Sequence, residues 1–455
     1  MPKCRWSRFA ATVVLLAVAV GSAAAGGVDD WLDAAKQPVE WLKWGADARL
    51  REVWGNNLTG LNKDAPNHES HFQRYRFRAW ATVTPVKDID LNARIVYEPR
   101  HICKPDSSDS WVFSEGIIDK LNVVWRKPAG LPVTFTLGRQ DFIFGDGWLV
   151  LDGTPLDGSR TIFFDALRAT VDFPDYETTV DVAYIDQKSQ SDRYIEPFCD
   201  EDESLVEDDE QGVIVYVINN TIPNTRIDGY YIYKSENRNP RGDHGSYPLS
   251  WSWQSDIHTF GARVARQFND KLKGRAELAG QLGDRNGRDL AALGFNSRLE
   301  YSLKDAINNS FRVDYEYASG DDDPDSGTDT QFDRVWGRWP QFSEIIIREY
   351  VLETRVADVT NFHRVGAGWS CNPTKKLEVI ADYNLLFADK NTLQGSPGFA
   401  DGCFRGQLFA AWLKYQITPR ISTHVLGEVF CPGDYYDNSR NDAAIFLRYE
   451  IQFTW

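Results

Sequence analysis

Residues 445–455 read IFLRYEIQFTW, and the alternation within them decides how the whole chain is read. Ile445, Leu447, Tyr449, Ile451, Phe453 and Trp455 share one parity, whereas Arg448, Glu450, Gln452 and Thr454 share the other. Successive side chains of an extended strand point to opposite sides, so this segment has one apolar and one polar face. In hydrocarbon every backbone N–H and C=O needs a partner, and a sheet can span a bilayer only when it closes without an edge. A last strand this apolar, ending on an aromatic, is expected to lie against lipid and to pair with the first strand.

The same pattern recurs upstream. In FQRYRFRAWATV, Tyr75, Phe77, Ala79 and Ala81 oppose Arg74, Arg76, Arg78 and Trp80; in IDLNARIVYEP, Ile89, Leu91, Ala93, Ile95 and Tyr97 oppose Asp90, Asn92, Arg94 and Glu98. Leu272, Ala276 and Leu278 against Lys273, Arg275 and Glu277, and Phe311, Val313, Tyr315 and Tyr317 against Arg312, Asp314 and Glu316, repeat it. Segments of about 9–12 residues, the length of a tilted membrane strand, alternate with turn signals. About eighteen or nineteen such segments can be counted. A soluble sandwich or solenoid would also alternate, but here full charges occupy the polar faces and aromatics sit near strand ends, as interfacial girdles require. The expected fold is all-β, a transmembrane antiparallel β-barrel of about 18 strands with short periplasmic turns and longer extracellular loops.

The beginning of the chain sets the compartment. Lys3, Arg5 and Arg8 precede an apolar run to Val20, and Ala23, Ala24 and Ala25 form a small-residue cleavage site before Gly26, the pattern of a secretory signal peptide. The organisation read from this is a signal peptide at 1–25, a short periplasmic segment at 26–43 and a barrel at 44–455, with a short amphipathic helix, broken at Pro38, expected within 28–44. Removing three basic and no acidic residues takes the formal charge from −16 to about −19. So acidic a chain does not seek nucleic acid through bulk charge. A mean hydropathy of −0.44 leaves no room for a long apolar helix beyond the signal. Five cysteines remain after Cys4 departs, an odd number without a C-x-x-C pair, so zinc is not indicated and one or two loop disulfides stay open.

One segment carries family information: LGRQDFIFGDGWLVLDGTPLDGSRTIFFDALRATVDF, which joins Gly138-Arg139-Gln140 to Gly145-Asp146-Gly147-Trp148 and then to Arg160, Phe164, Asp165 and Arg168. With YEYASGDDDPDSGTDTQF and NFHRVGAGWSCNPTKKLEVIADYNLLF, it resembles the bacterial alginate-export porin family over roughly residues 70–455. The resemblance implies an 18-stranded outer-membrane barrel that conducts an anionic polysaccharide or oligosaccharide through a constricted, basic lumen. It also implies surrounding outer-membrane lipid and assembly by the barrel-assembly machinery. Trp148 stands where the pattern leads one to expect Arg.

Parity places Arg74, Arg76, Arg78, Arg94, Lys120, Arg139, Arg168, Arg263, Arg275, Arg298, Arg312 and Arg364 on polar faces, as candidates for the solute path. Asp90, Glu98, Asp172, Glu277, Glu300, Asp314, Glu316, Glu378, Asp382 and Glu428 share those faces, so mutual ion pairing is the competing expectation. The acidic stretches 199–210 and 320–329 are expected as solvated surface loops. In the second, Asp321, Asp323 and Asp325 have calcium-like spacing but lack the glycine and distal Glu of a full calcium loop. The aromatic stretches YYIYK and SYPLSWSWQ read equally as carbohydrate platforms or interface anchors. No G-x-S-x-G or clustered His supports an enzyme, and no cofactor or metal is expected. The function expected is a channel for an anionic saccharide. Its rivals are a general porin for small solutes and a loop-plugged structural or adhesive surface barrel.

Overall fold

A computed structural model describes residues 33–455 except 114, 152–162, 190–193, 201–205, 238–251, 339, 351, 352 and 356. The signal peptide, Arg160 and most of SYPLSWSWQ lie outside the described residues. Within 28–44 the described helix is confined to residues 33–36, and extended chain follows Pro38.

Among the described residues eighteen antiparallel strands form one closed wall. They are β1 (Leu42–Asn56), β2 (Glu69–Val86), β3 (Ile89–Tyr97), β6 (Gly116–Arg126), β7 (Val133–Gln140), β8 (Phe164–Phe173), β9 (Thr178–Gln187), β10 (Asp209–Asn219) and β11 (Thr225–Asn237). The wall continues through β12 (Ser255–Gln267), β13 (Leu272–Arg285), β14 (Arg288–Ser302), β15 (Ser310–Ala318), β17 (Phe362–Thr374), β18 (Leu377–Phe387), β19 (Phe404–Thr418), β20 (Ile421–Pro432) and β21 (Ala444–Thr454). Three short strands stand outside this count: β4 (Arg100–Lys104) and β5 (Ser110–Val112) extend β2 in a loop, and β16 (Thr328–Asp329) lies parallel to β14.

Closure comes from the segment that opened the sequence. β21 pairs with β1 in register from Asp47 opposite Thr454 to Asn56 opposite Ile445. Trp455 extends the ladder by donating its N–H to the carbonyl of Ala46 at 2.8 Å, and its ring meets Trp44 edge to face at 4.2 Å. No edge remains at this seam, which is what a sheet in hydrocarbon requires.

Polarity is inverted relative to a soluble core. Leu447 and Tyr449 are 47% and 44% exposed on the outer surface, while Arg448 between them is 2% exposed inside. Trp125, Phe173, Phe268, Tyr301 and Tyr415 are exposed near the end where the turns are short, forming an aromatic girdle. Toward the other rim the Tyr231 hydroxyl meets His258 at 2.8 Å, and that of Tyr233 donates to Asp256 at 2.6 Å, which assigns the alternating tyrosines of YYIYK to the outer face as anchors. The turn end is periplasmic and carries connections as short as 87–88, 375–376 and 419–420. The extracellular end carries the long ones, above all 141–163 and 319–361. Among the described residues Cys103, Cys371, Cys403 and Cys431 are free thiols, so none of the disulfides left open by the sequence joins two of these four.

The lipid face should be intolerant of charge. Leu447→Arg is expected to cost about 2–4 kcal/mol, the range for a cation on the lipid face near the bilayer midplane. Urea titration of the barrel refolded into vesicles measures this, and an unchanged midpoint would contradict the outward assignment of β21.

Candidate functional site: a lumen crossed by two loops

Inside the wall the charges form pairs. Arg74 lies 3.3 Å from Glu98, Arg76 and Arg78 lie 3.4 and 2.6 Å from Asp47, and Arg94 and Lys120 lie 3.2 and 2.9 Å from Asp141. Arg139 meets Asp165 at 3.0 Å and Arg168 meets Asp181 at 2.7 Å. On the facing wall Arg263 and Arg275 lie 2.8 and 3.1 Å from Asp146, Arg298 and Arg312 lie 2.5 and 3.2 Å from Asp314, and Arg364 lies 3.1 Å from Glu316. The twelve cations singled out by parity therefore point inward along two arcs, β2 to β8 and β12 to β17, each on a carboxylate. A buried charge that lacks an opposite partner is costly, so a wall rich in arginine demands this matching.

Three of those carboxylates, Asp141, Asp146 and Asp165, border or belong to the connection between β7 and β8, whose first residues enter the lumen. Asp141 stays with Arg94 and Lys120 on the near wall. Phe142 stacks on Phe164 at 4.4 Å, Phe144 on Tyr216 at 4.6 Å, and Tyr216 on Tyr230 at 5.4 Å, so a row of rings holds the segment as it crosses. Gly145 and Gly147, with φ of 59° and 75°, adopt the left-handed conformation that glycine tolerates without strain. The turn carries Asp146 to β12 and β13, four to six strands along the wall from β7 and β8. Trp148 then donates its indole N–H to Glu316 on β15 at 3.0 Å and stacks on Phe332 at 5.6 Å. The tryptophan thus supplies a donor to a wall carboxylate at the position where the motif leads one to expect Arg.

The second inward segment is the connection between β15 and β17. Asp329 and Asp333 receive Arg285 at 3.1 and 3.0 Å, Arg334 reaches Glu316 at 2.8 Å, and the Trp336 indole donates to Glu210 at 2.9 Å. Lys234 is fully buried between Glu210 and Glu236 and donates to the carbonyl of Val335 at 3.0 Å. Ser343 caps a short helix, Glu344–Glu349, and its hydroxyl also donates to Glu428 of β20 at 2.7 Å. The same Glu428 carboxylate accepts the N–H groups of Glu344 and Ile345 at 3.0 and 3.1 Å. Farther on, Glu353 receives both terminal nitrogens of Arg405, and Arg355 meets Glu236 at 3.2 Å. The two loops are joined: Trp336 and Leu149 share a hydrogen bond at 3.0 Å, and the Gln341 amide donates to the carbonyl of Asp146 at 2.9 Å.

These anchors correct the reading of the acidic stretches as solvated loops. In 199–210, Glu207 accepts two hydrogen bonds from Arg338 at 2.6 and 2.9 Å, Asp208 holds Ser252 and Trp253, and Glu210 is a buried strand residue. In 320–329, Asp321 is buried against Arg288 at 2.8 Å, while 322–325 are exposed as expected. Glu207, Asp321 and Asp329 serve as counter-charges for Arg338, Arg288 and Arg285. Among the described residues no three His, Cys, Asp or Glu side chains converge as a metal site.

Beneath the joined loops, on the periplasmic side, lies an open cavity of about 590 Å³. Its lining includes six cations, Arg226, Arg263, Arg266, Lys273, Arg275 and Arg298, but two carboxylates, Asp146 and Glu300. Parity reached four of the six as charged strand positions, and Arg226 and Arg266 were not singled out. The loop arginines 334, 338 and 355 were missed as well; the apolar EIII within a 43-residue connection (319–361) was the available signal that this loop is buried.

A family model described as alginate export matches residues 123–447. No curated protein matches the sequence. Among solved structures the fold is similar to Acinetobacter baumannii OccAB2, at 10% identity and a TM-score of 0.57, covering 90% of this chain and 98% of that one. Pseudomonas aeruginosa OccK2 (OpdF), solved in complex with glucuronate, aligns at 9% identity and a TM-score of 0.55 over 91% of this chain and 97% of that one. Pseudomonas aeruginosa OpdK with vanillate aligns at 10% identity and 0.55, over 90% and 98%. At such identity these structures establish the shared outer-membrane barrel and nothing finer.

The anchors make two outcomes measurable. Glu428→Ala should leave the barrel folded but free the capped helix, at a cost of about 2–4 kcal/mol for a buried hydrogen-bonded charge. Single-channel recordings should show larger conductance and frequent sub-states, and a trace identical to the parent would show that Glu428 does not hold the loop. Burial alone would raise the Glu207 carboxyl, but the charge and N–H groups of Arg338, with Arg355 beyond, outweigh it and hold the group at about 2, below its ordinary 4.5. A value depressed by folding means that this contact contributes fully above pH 4.5 and is lost as pH falls toward about 2. Current fluctuations should rise in that window, whereas Glu207→Gln should fluctuate already at neutral pH.

Proposed function

The chain belongs to the alginate export family, and from that premise we propose that the solute of this outer-membrane channel is a short carboxylated saccharide, a uronate or an oligomer of a few uronates. The observation that carries the reading is the cavity beneath the loops, with six cations against two carboxylates in its lining. A carboxylate entering there exchanges hydration for guanidinium N–H groups, which bind planar oxyanions in a fork geometry. Arg226, Arg263, Arg275 and Arg298 also keep a protein carboxylate nearby, so these sites are weak, as conduction through successive sites requires. The path assigned to the solute runs along Arg263, Arg275 and Arg298, with Arg312 and Arg364 on the strands beyond.

The two joined loops favour a short solute over a long polymer, since both run into the lumen and bond to wall strands well away from those that carry them. The glucuronate complex of OccK2 (OpdF) and the vanillate complex of OpdK concern other proteins of this fold, and they support a carboxylate as the common chemical feature. A general porin for small solutes is the second reading, favoured by the closely matched charges elsewhere in the lumen.

Uptake of labelled solutes into proteoliposomes separates the two. Glucuronate should enter faster than glucose, a neutral sugar of similar size. Lys273→Glu together with Arg298→Glu should slow glucuronate by about ten-fold, the scale of electrostatic focusing in a charged cleft, and leave glucose unchanged. Equal rates for the two sugars in the parent channel would sink the proposal and favour the general porin.

A further inference from the structure

We infer that Arg263 and Arg275 form a carboxylate-binding site of the lumen, which Asp146 of the inward loop fills in the resting channel as an internal substitute for the solute. The inference rests on the reading that the channel takes carboxylated solutes and identifies where one of them is held. A single oxygen, Oδ2 of Asp146, accepts from Nε of Arg263 at 2.9 Å and lies in ion-pair contact with Nη2 of Arg263 at 2.8 Å and Nε of Arg275 at 3.1 Å. Two guanidiniums from adjacent strands converge on one carboxylate that belongs to neither.

Three features of this contact, taken together, support the exchange. Asp146 comes from a loop rather than from the wall, and Gly145 and Gly147 deliver it. A Cβ on Gly145 would stand 3.2 Å from the Tyr216 hydroxyl and 3.3 Å from Cδ of Arg263, a tight approach that a larger residue meets only if those side chains shift by a few tenths of an ångström. Second, the carboxylate is the accessible partner: Asp146 is 39% exposed toward the cavity, whereas Arg263 and Arg275 are 7% and 15% exposed behind it. A solute arriving from the cavity meets Asp146 before it meets the guanidiniums.

Third, the site survives the exchange. With Asp146 displaced, Arg263 keeps Asp228 at 3.2 Å and Glu277 at 4.0 Å, and Arg275 keeps its hydrogen bond to Asn296 at 2.8 Å. No buried cation is stranded, and one carboxylate simply replaces another. A cavity of about 590 Å³ is within the range that accommodates small ligands. Asp146 then acts as a tethered competitor, setting a threshold that chloride and neutral sugars do not meet but a carboxylate does.

The test is the concentration of glucuronate that half-blocks potassium chloride current through the full-length channel in a planar bilayer. Removing a tethered competitor should lower that concentration by about ten-fold in Asp146→Asn, with chloride conductance changing far less. Glu300→Gln, which removes a charge from the same cavity where it pairs with Lys273 at 3.0 Å, raises the local cation excess without uncovering Arg263 and Arg275, and should lower the blocking concentration far less than Asp146→Asn does. Asp146→Ser provides a second variant should the first fail to give the heat-modifiable band of a folded barrel. Equal block of parent and Asp146→Asn channels would overturn the inference while leaving the carboxylate channel standing. An equal gain in Glu300→Gln would assign the effect to bulk charge and overturn it too. Glucuronate that blocks neither parent nor variant would remove both the site and the reading beneath it.

Discussion

Pairing of β1 with β21 is the constraint on which the rest of the structure depends. Backbone groups in hydrocarbon must be satisfied within the sheet, so the wall has to close, and closure separates an apolar exterior from a polar interior on every strand. The charges of the interior follow from that inversion. Arginine on an inward face needs a carboxylate within reach, and strand neighbours supply only some of them. Asp146, Asp333 and Glu353, which meet Arg263, Arg285 and Arg405, come from loops. Electrostatic matching across the lumen therefore draws the two long loops inward, and the loops in turn define the constriction and the basic cavity below it.

How far this was legible in the sequence follows the range of the interactions. Parity is local, so the faces of β2, β3, β13, β15 and β21, the strand number and the outer-membrane setting could be read without any tertiary knowledge. The direction in which Arg74, Arg263 or Arg364 points was legible for the same reason. Its partner was not, because the Arg263 contact with Asp146 joins residues that share no pattern and meet only across the barrel. The acidic stretches illustrate the difficulty most directly. Glu207 and Asp321 stand in runs of charge that suit solvated loops, and they are buried because Arg338 and Arg288 arrive from elsewhere in the chain. Composition describes a segment's affinity for water but says nothing of counter-charges brought to it by the fold.

Trp148 and the Gly145-Asp146-Gly147 turn show motif and geometry explaining each other. Glycines on both sides of one aspartate make sense once that aspartate must cross a lumen and lie against two guanidiniums. The tryptophan after it donates a hydrogen bond to Glu316 without adding a charge to an already dense network. Under the proposed function, selectivity arises from a small local excess of cations over carboxylates, concentrated in one cavity, rather than from an unbroken ring of positive charge.

The central claim is that this excess makes the channel prefer a carboxylated solute to a cation. The most direct measurement is the reversal potential of the unmodified protein in a planar bilayer under a gradient of potassium glucuronate. A potential with the sign set by glucuronate is the predicted result; one with the sign set by potassium would contradict the account.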